Sequence, residues 1–166
     1  LSRMWHSLES IRNVIDLASF YKIKYLQLHL SDDQAFVFPT DSFPNLPTPD
    51  RPYSKKDFIE LVEYAKKFDV GIAIDMESSK YTDSIYQIYQ DVSTVYSKVG
   101  AVTQAYLYRS INDIKKLDSS NLNLRICKGI YNESSTIAIK NKEKINENFE
   151  KLVHTTYKQN GYICIA

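Results

Sequence analysis

The chain has 166 residues, and its 21 Lys and Arg against 20 Asp and Glu leave a net charge of +1, which gives no electrostatic footprint for nucleic acid or an anionic membrane. Its length suits one domain with a real core. Four glycines argue against a Gly-rich phosphate-cradling loop, and no apolar run approaches the length of a membrane span. Nothing resembles a signal peptide. Cys127 and Cys164 fall in apolar, strand-like runs and read as small buried thiols, so the expectation is a reduced, cytoplasmic-type protein without a metal site.

In chain order, Ser7 precedes a pattern in which Ile11, Val14, Ile15 and Ala18 share one face, predicting a helix over 7–21. Tyr25 to Leu30 reads as a short strand ending at Ser31, Asp32 and Asp33. Residues 35–53 hold all five prolines among phenylalanines, predicting a long packed loop. Ser54 and Asp57 form a capping-box start for a helix ending near Phe68, with Phe58, Leu61, Val62, Ala65 and Phe68 inward. Val70 to Asp75 is an apolar strand whose end turns acidic at Asp75 and Glu77. Thr82 is expected to cap a helix to Tyr96, and Ala101 to Tyr108 to form a strand. Ser110 and Asp113 open a short helix, Leu122 to Cys127 is a strand, and Asn141 caps a long helix to Gln159 that carries Tyr157 on its apolar face. Tyr162 to Ala166 is a last strand.

Strands alternating with helices, without hairpin signals, predict a parallel sheet of βαβ units, whose ligands gather at the carboxyl ends of the strands. Arg3, His29 and Asp32 stand at such ends and suit a polyhydroxylated ligand, since a guanidinium donates and a carboxylate accepts charge-assisted hydrogen bonds. The alternative for Asp32 is a loop cap, and for His29 a satisfied core residue.

Leu1-Ser2-Arg3, the run from Leu28 to Phe36, Phe43-Pro44-Asn45-Leu46 and Tyr53 to Asp57 resemble the β-N-acetylhexosaminidases, glycoside hydrolases with a (β/α)8 TIM barrel. That resemblance covers residues 1–75, and implies that Arg3 and Asp32 bind hydroxyls of a terminal N-acetylhexosamine with His29 in support. The family's Pro-Gly-His turn is replaced here by Met76-Glu77-Ser78-Ser79, and its catalytic Asp-Glu pair is not found.

From residue 74 to 166 the chain is similar instead to proline dehydrogenase, an FAD enzyme on the same barrel, through Ile74 to Thr82, Gln104 to Arg109 and Arg125 to Glu133. This resemblance implies flavin contacts from Gln104 and Arg125, a flavin site shaped by Lys128 and Gly129, a supporting Asp75, and Tyr131 beside a proline-like substrate. The fold expectation is therefore a single α/β domain over 1–166, a partial (β/α)8 TIM-barrel-derived parallel sheet of about five strands with flanking helices. An open, flavodoxin-like sheet is the alternative. The functional expectation is a recombined barrel fragment with incomplete sites of both relatives and no turnover. Its alternatives are a proline dehydrogenase-like oxidoreductase with weak FAD binding and an N-acetylhexosamine-binding module. No cofactor is expected under the first reading; self-association through open sheet edges is, with no nucleic-acid or membrane partner.

Overall fold

The computed structural model describes residues 5–30, 37 and 53–166. Arg3, Asp32 and nearly all of the proline-rich stretch lie outside the described residues. The elements are α1 (Leu8–Phe20), β1 (Tyr25–Leu28), α2 (Lys55–Lys67), β2 (Gly71–Ile74), α3 (Thr82–Ser93), β3 (Val99–Gln104), α4 (Ser110–Lys116), β4 (Asn123–Cys127), α5 (Lys142–Lys158) and β5 (Tyr162–Ile165). No helix among them is long and apolar enough to cross a membrane.

All five strands pair in parallel, in the order β1-β2-β3-β4-β5. This sequential order rules out the flavodoxin-like arrangement, whose strand order reverses at a switch point. When every crossover moves one strand in the same direction with the same hand, the helices gather on one face. Leu28, Ile72, Ile74, Val99, Ala101, Leu124 and Ile126 face that helical layer and are essentially inaccessible, packed with Ile15 of α1, Val62 and Ala65 of α2, Ile85 and Val92 of α3, Ile114 of α4 and Leu152 of α5.

The opposite face carries Tyr25, Gln27, Ala73, Gly100, Asn123, Arg125, Tyr162 and Cys164 along a groove of about 270 Å³. The rings of Tyr25 and Tyr162, on the two outermost strands, are stacked with centroids 6.3 Å apart and planes 20° from parallel. In a flat five-stranded sheet those strands would stand roughly 19 Å apart. The sheet is therefore curled, with its inner side chains meeting across the concavity as they do inside a barrel. Gly71 makes this possible: it pairs with Tyr25, and a Cβ there would lie 2.4 Å from the Tyr25 ring.

Three helices end in the same way. Lys22, Asp69 and Asn160 adopt left-handed backbone with φ of 58°, 55° and 56°. In each case the following amide returns to a carbonyl in the last turn, Ile23 to Ala18, Val70 to Ala65 and Gly161 to Thr156. This is the Schellman ending, made here without glycine at its left-handed position.

Five expectations are corrected. Phe68 is not inward: it caps the end of α2 and is 40% exposed. Thr82 is not a cap: a 3-10 turn, Ser79–Tyr81, runs into α3, and the Thr82 hydroxyl faces the Met76 sulfur. The third strand runs Val99–Gln104 and not to Tyr108, because the Ser110 hydroxyl donates to the carbonyls of Gln104 and Leu107 and turns the chain. Cys164 is exposed, because it lies on the groove face that no helix covers, on the outermost described strand. Tyr157 is 72% exposed, lying off the α5 face that buries Leu152.

Candidate functional site

Parallel strands present their carboxyl ends together, so residues just past β1 and β2 fall beside the last residues of β3 and β4. The backbone starts the site: the Asp75 amide donates to Leu28 O at 3.0 Å, which extends the β1–β2 ladder by one step and aligns Asp75 with His29. His29 then lies between two carboxylates, with Nδ1 3.0 Å from Asp75 Oδ2 and Nε2 2.8 Å from Glu77 Oε1. Carboxylate oxygens only accept, so each contact needs a proton on the line between the two atoms.

Asp75 is held from every side. Gln27 Nε2 donates to its Oδ2 at 2.7 Å, the Met76 amide to its Oδ1 at 3.0 Å, and Arg125 Nη1 stands 3.7 Å from Oδ1. Gln104 Nε2 donates to the Met76 carbonyl at 3.1 Å, yet its Oε1 is buried without a hydrogen-bond partner among the described residues. The Tyr106 hydroxyl is also buried without one. Desolvation pushes that phenol up to about 12, helped by the negative charge of Glu133, Cys127 and Glu77. Tyr131 is raised as well, first by desolvation and then by its hydrogen bond to Glu77. Burial raises the Cys127 thiol, with Arg125 opposing the shift.

The structure thus brings together His29, Asp75, Gln104, Arg125 and Tyr131 from the residues expected on sequence grounds. Lys128 is present through its backbone, whose carbonyl accepts from the Tyr106 amide at 2.9 Å. Gly129 has φ of 94°, and a Cβ there would lie 2.1 Å from the Tyr106 ring. Arg3 and Asp32 are outside the described residues. Sequence reading did not assign Gln27, Glu77 or Tyr106 to the site. Gln27 could have been found by the two-residue period of β1, which puts it on the same face as His29. Glu77, only 5% exposed, follows the strand and has no such periodic signal.

The model of glycosyl hydrolase family 20, catalytic domain, matches residues 1–159. Proline dehydrogenase 1 of Bacillus subtilis subsp. natto is 35% identical over 106 residues, 64% of this chain and 35% of the relative. Chitooligosaccharidolytic beta-N-acetylglucosaminidase of Bombyx mori is 26% identical over 91 residues, 52% of this chain and 15% of the relative. Among solved structures, proline utilization A from Bdellovibrio bacteriovorus superposes with a TM-score of 0.67 at 14% identity, over 95% of this chain and 20% of that one. A mutant Streptomyces plicatus beta-hexosaminidase gives 0.55 at 13% identity, over 99% and 46%. The chain spans about a third of the length of the curated proline dehydrogenases it matches. Its resemblance is mixed, and both sets of structural neighbours are TIM-barrel enzymes. By the match over residues 1–159, the chain belongs to glycosyl hydrolase family 20.

Proposed function

We propose that this chain is a recombined barrel segment that binds ligands at its strand ends without completing the reaction of either relative. The observation that carries this reading is the mutual engagement of the chemically able groups. Asp75 has Gln27, His29, the Met76 amide and Arg125 around its two oxygens, and Glu77 is taken by His29 and Tyr131. Glycoside hydrolysis needs a carboxylic acid free to protonate the leaving oxygen across open space from the groups that stabilise the oxocarbenium-like centre. Here an imidazole fills the space between the two carboxylates instead.

Of the two ligand classes, flavin has the better fit among the described residues. The unpartnered Gln104 Oε1 is an acceptor suited to an imide N–H at the polar edge of an isoalloxazine, and Arg125 lies one strand away to offset negative charge on a reduced ring. Gly129, having no Cβ, leaves room for the Tyr106 ring at the same strand ends. A bound flavin would supply hydride acceptance, while this chain's residues would orient it and balance its charge. Binding is weak, because Arg125 is already turned toward Asp75 and every deficit of about 1.4 kcal/mol in binding free energy is tenfold in affinity. The second reading, an N-acetylhexosamine-binding module, is favoured by the family match and by His29, which sits at the end of β1 as that resemblance requires.

The absorbance spectrum of the purified protein tests both. The expected result is a colourless chain with no proline oxidation, stabilised slightly by added FAD. Stoichiometric flavin that bleaches on addition of proline would overturn the reading in favour of an active oxidoreductase. Thermal stabilisation by N-acetylglucosamine but not by FAD would replace it with the sugar-binding one.

A further inference from the structure

His29, Asp75 and Glu77 each present a ligand-type atom within 4.8 Å of the other two. Their arrangement is ordered: Asp75 takes Nδ1 of the imidazole and Glu77 takes Nε2. Metal-bound histidines have this pattern, one ring nitrogen on the ion and the other donating to a carboxylate that fixes the ring. Asp75 is itself fixed by Gln27 and the Met76 amide, so the imidazole is aimed before any ion arrives. The His29 side chain keeps 23% of its surface accessible, against 7% for Glu77, which leaves a path in on the imidazole side.

A second observation at the same place points to a ligand. The Tyr106 hydroxyl, in a residue only 4% exposed, has no hydrogen-bond partner among the described residues, and Tyr106 packs with Tyr131, which is hydrogen-bonded to Glu77. A buried hydroxyl without a partner is costly, because it has given up its bond to water and gained nothing in return. Water held on an ion between His29 and Glu77 would give it one.

We propose that His29 Nε2 and the Glu77 carboxylate form a binding site for a divalent transition metal of the zinc type, with Asp75 positioning the imidazole and water completing the coordination. Imidazole and carboxylate donors suit zinc at about 2.0 to 2.2 Å. Two such ligands on a tetrahedral ion stand about 3.3 Å apart, so the 2.8 Å contact between Nε2 and Oε1 opens by roughly half an ångström as the ion takes the place of the bridging proton. This proposal goes beyond the flavin and sugar readings and depends on neither.

The experiment is a calorimetric titration of zinc chloride into the full chain carrying Cys164→Ser, which removes the exposed thiol. Imidazole 15N shifts of His29 are followed in parallel. The expected result is one ion per chain, with a large shift at His29 Nε2 and not at Nδ1. Glu77→Gln and His29→Ala should each weaken binding tenfold or more, and Asp75→Asn about tenfold, as an outer-shell change does. Unaltered zinc affinity in both Glu77→Gln and His29→Ala would place the ion elsewhere and overturn the proposal, as would the absence of any binding. If His29→Ala fails to fold, the Glu77→Gln titration and the 15N shifts of the unsubstituted site decide the matter alone.

Discussion

Gly129 is the residue at which backbone and side-chain demands meet. Its φ of 94° is one that L side chains rarely adopt, and an added Cβ would overlap the Tyr106 ring. Gly129→Ala should therefore destabilise the fold by about 1 to 3 kcal/mol, measured by urea denaturation, and displace Tyr106. The tyrosines also set an alkaline limit. Desolvation raises Tyr96 and Tyr106 to about 12, from an ordinary value of 10.0. A phenol whose value is higher in the folded state stabilises fully below pH 10, and that contribution is lost between about pH 10 and 12 as the unfolded chain ionises first. The melting temperature should fall through that window, and Tyr106→Phe should flatten part of the fall. At this scale the site was legible where residues stood in recognisable runs, as His29, Asp75, Gln104 and Arg125 did. Glu77 was not assigned because its importance comes from His29, 48 positions earlier in the chain, and only the fold brings them within 2.8 Å.

Among the elements, the helix endings carry a removable strain. Lys22 holds a left-handed conformation that costs a residue with a Cβ roughly 1 to 2 kcal/mol, and glycine would avoid most of it while losing some backbone entropy. Lys22→Gly should raise stability by roughly 0.5 to 1 kcal/mol in chemical denaturation. Asn160→Gly should do less, because asparagine tolerates this region better. Helix starts were easier to read than stops. Ser7, Ser54 and Asn141 each cap through the side chain as their patterns predict, Ser54 with the full capping box. The stops lacked the glycine that usually marks them, and the third strand was read too long because its end depends on a serine six residues away.

For the whole molecule, the two outermost strands carry apolar surface beside backbone edges that no other described strand pairs with. Phe20, Tyr21 and Ile23 are 78%, 69% and 51% exposed near β1, and Tyr162 and Ile165 are 58% and 64% exposed on β5. We propose that the chain self-associates through these edges. Light scattering coupled to size exclusion should show a mass that rises with concentration, and Ile165→Lys should shift it toward monomer. A concentration-independent monomer mass would count against this. The parallel sheet was legible from the alternation of strands and helices, but its curvature was not, because curvature depends on which inner side chains meet. That meeting can be recorded chemically. Two phenol rings 6.3 Å apart are close enough for their radicals to couple, so brief photo-oxidation of dilute protein should join Tyr25 to Tyr162 as a dityrosine that fluoresces blue and survives denaturation. Peptide mapping would identify the cross-link within a single chain. A sheet that flattens in solution would leave none, so the yield measures how much of the population is curled at the moment of the flash.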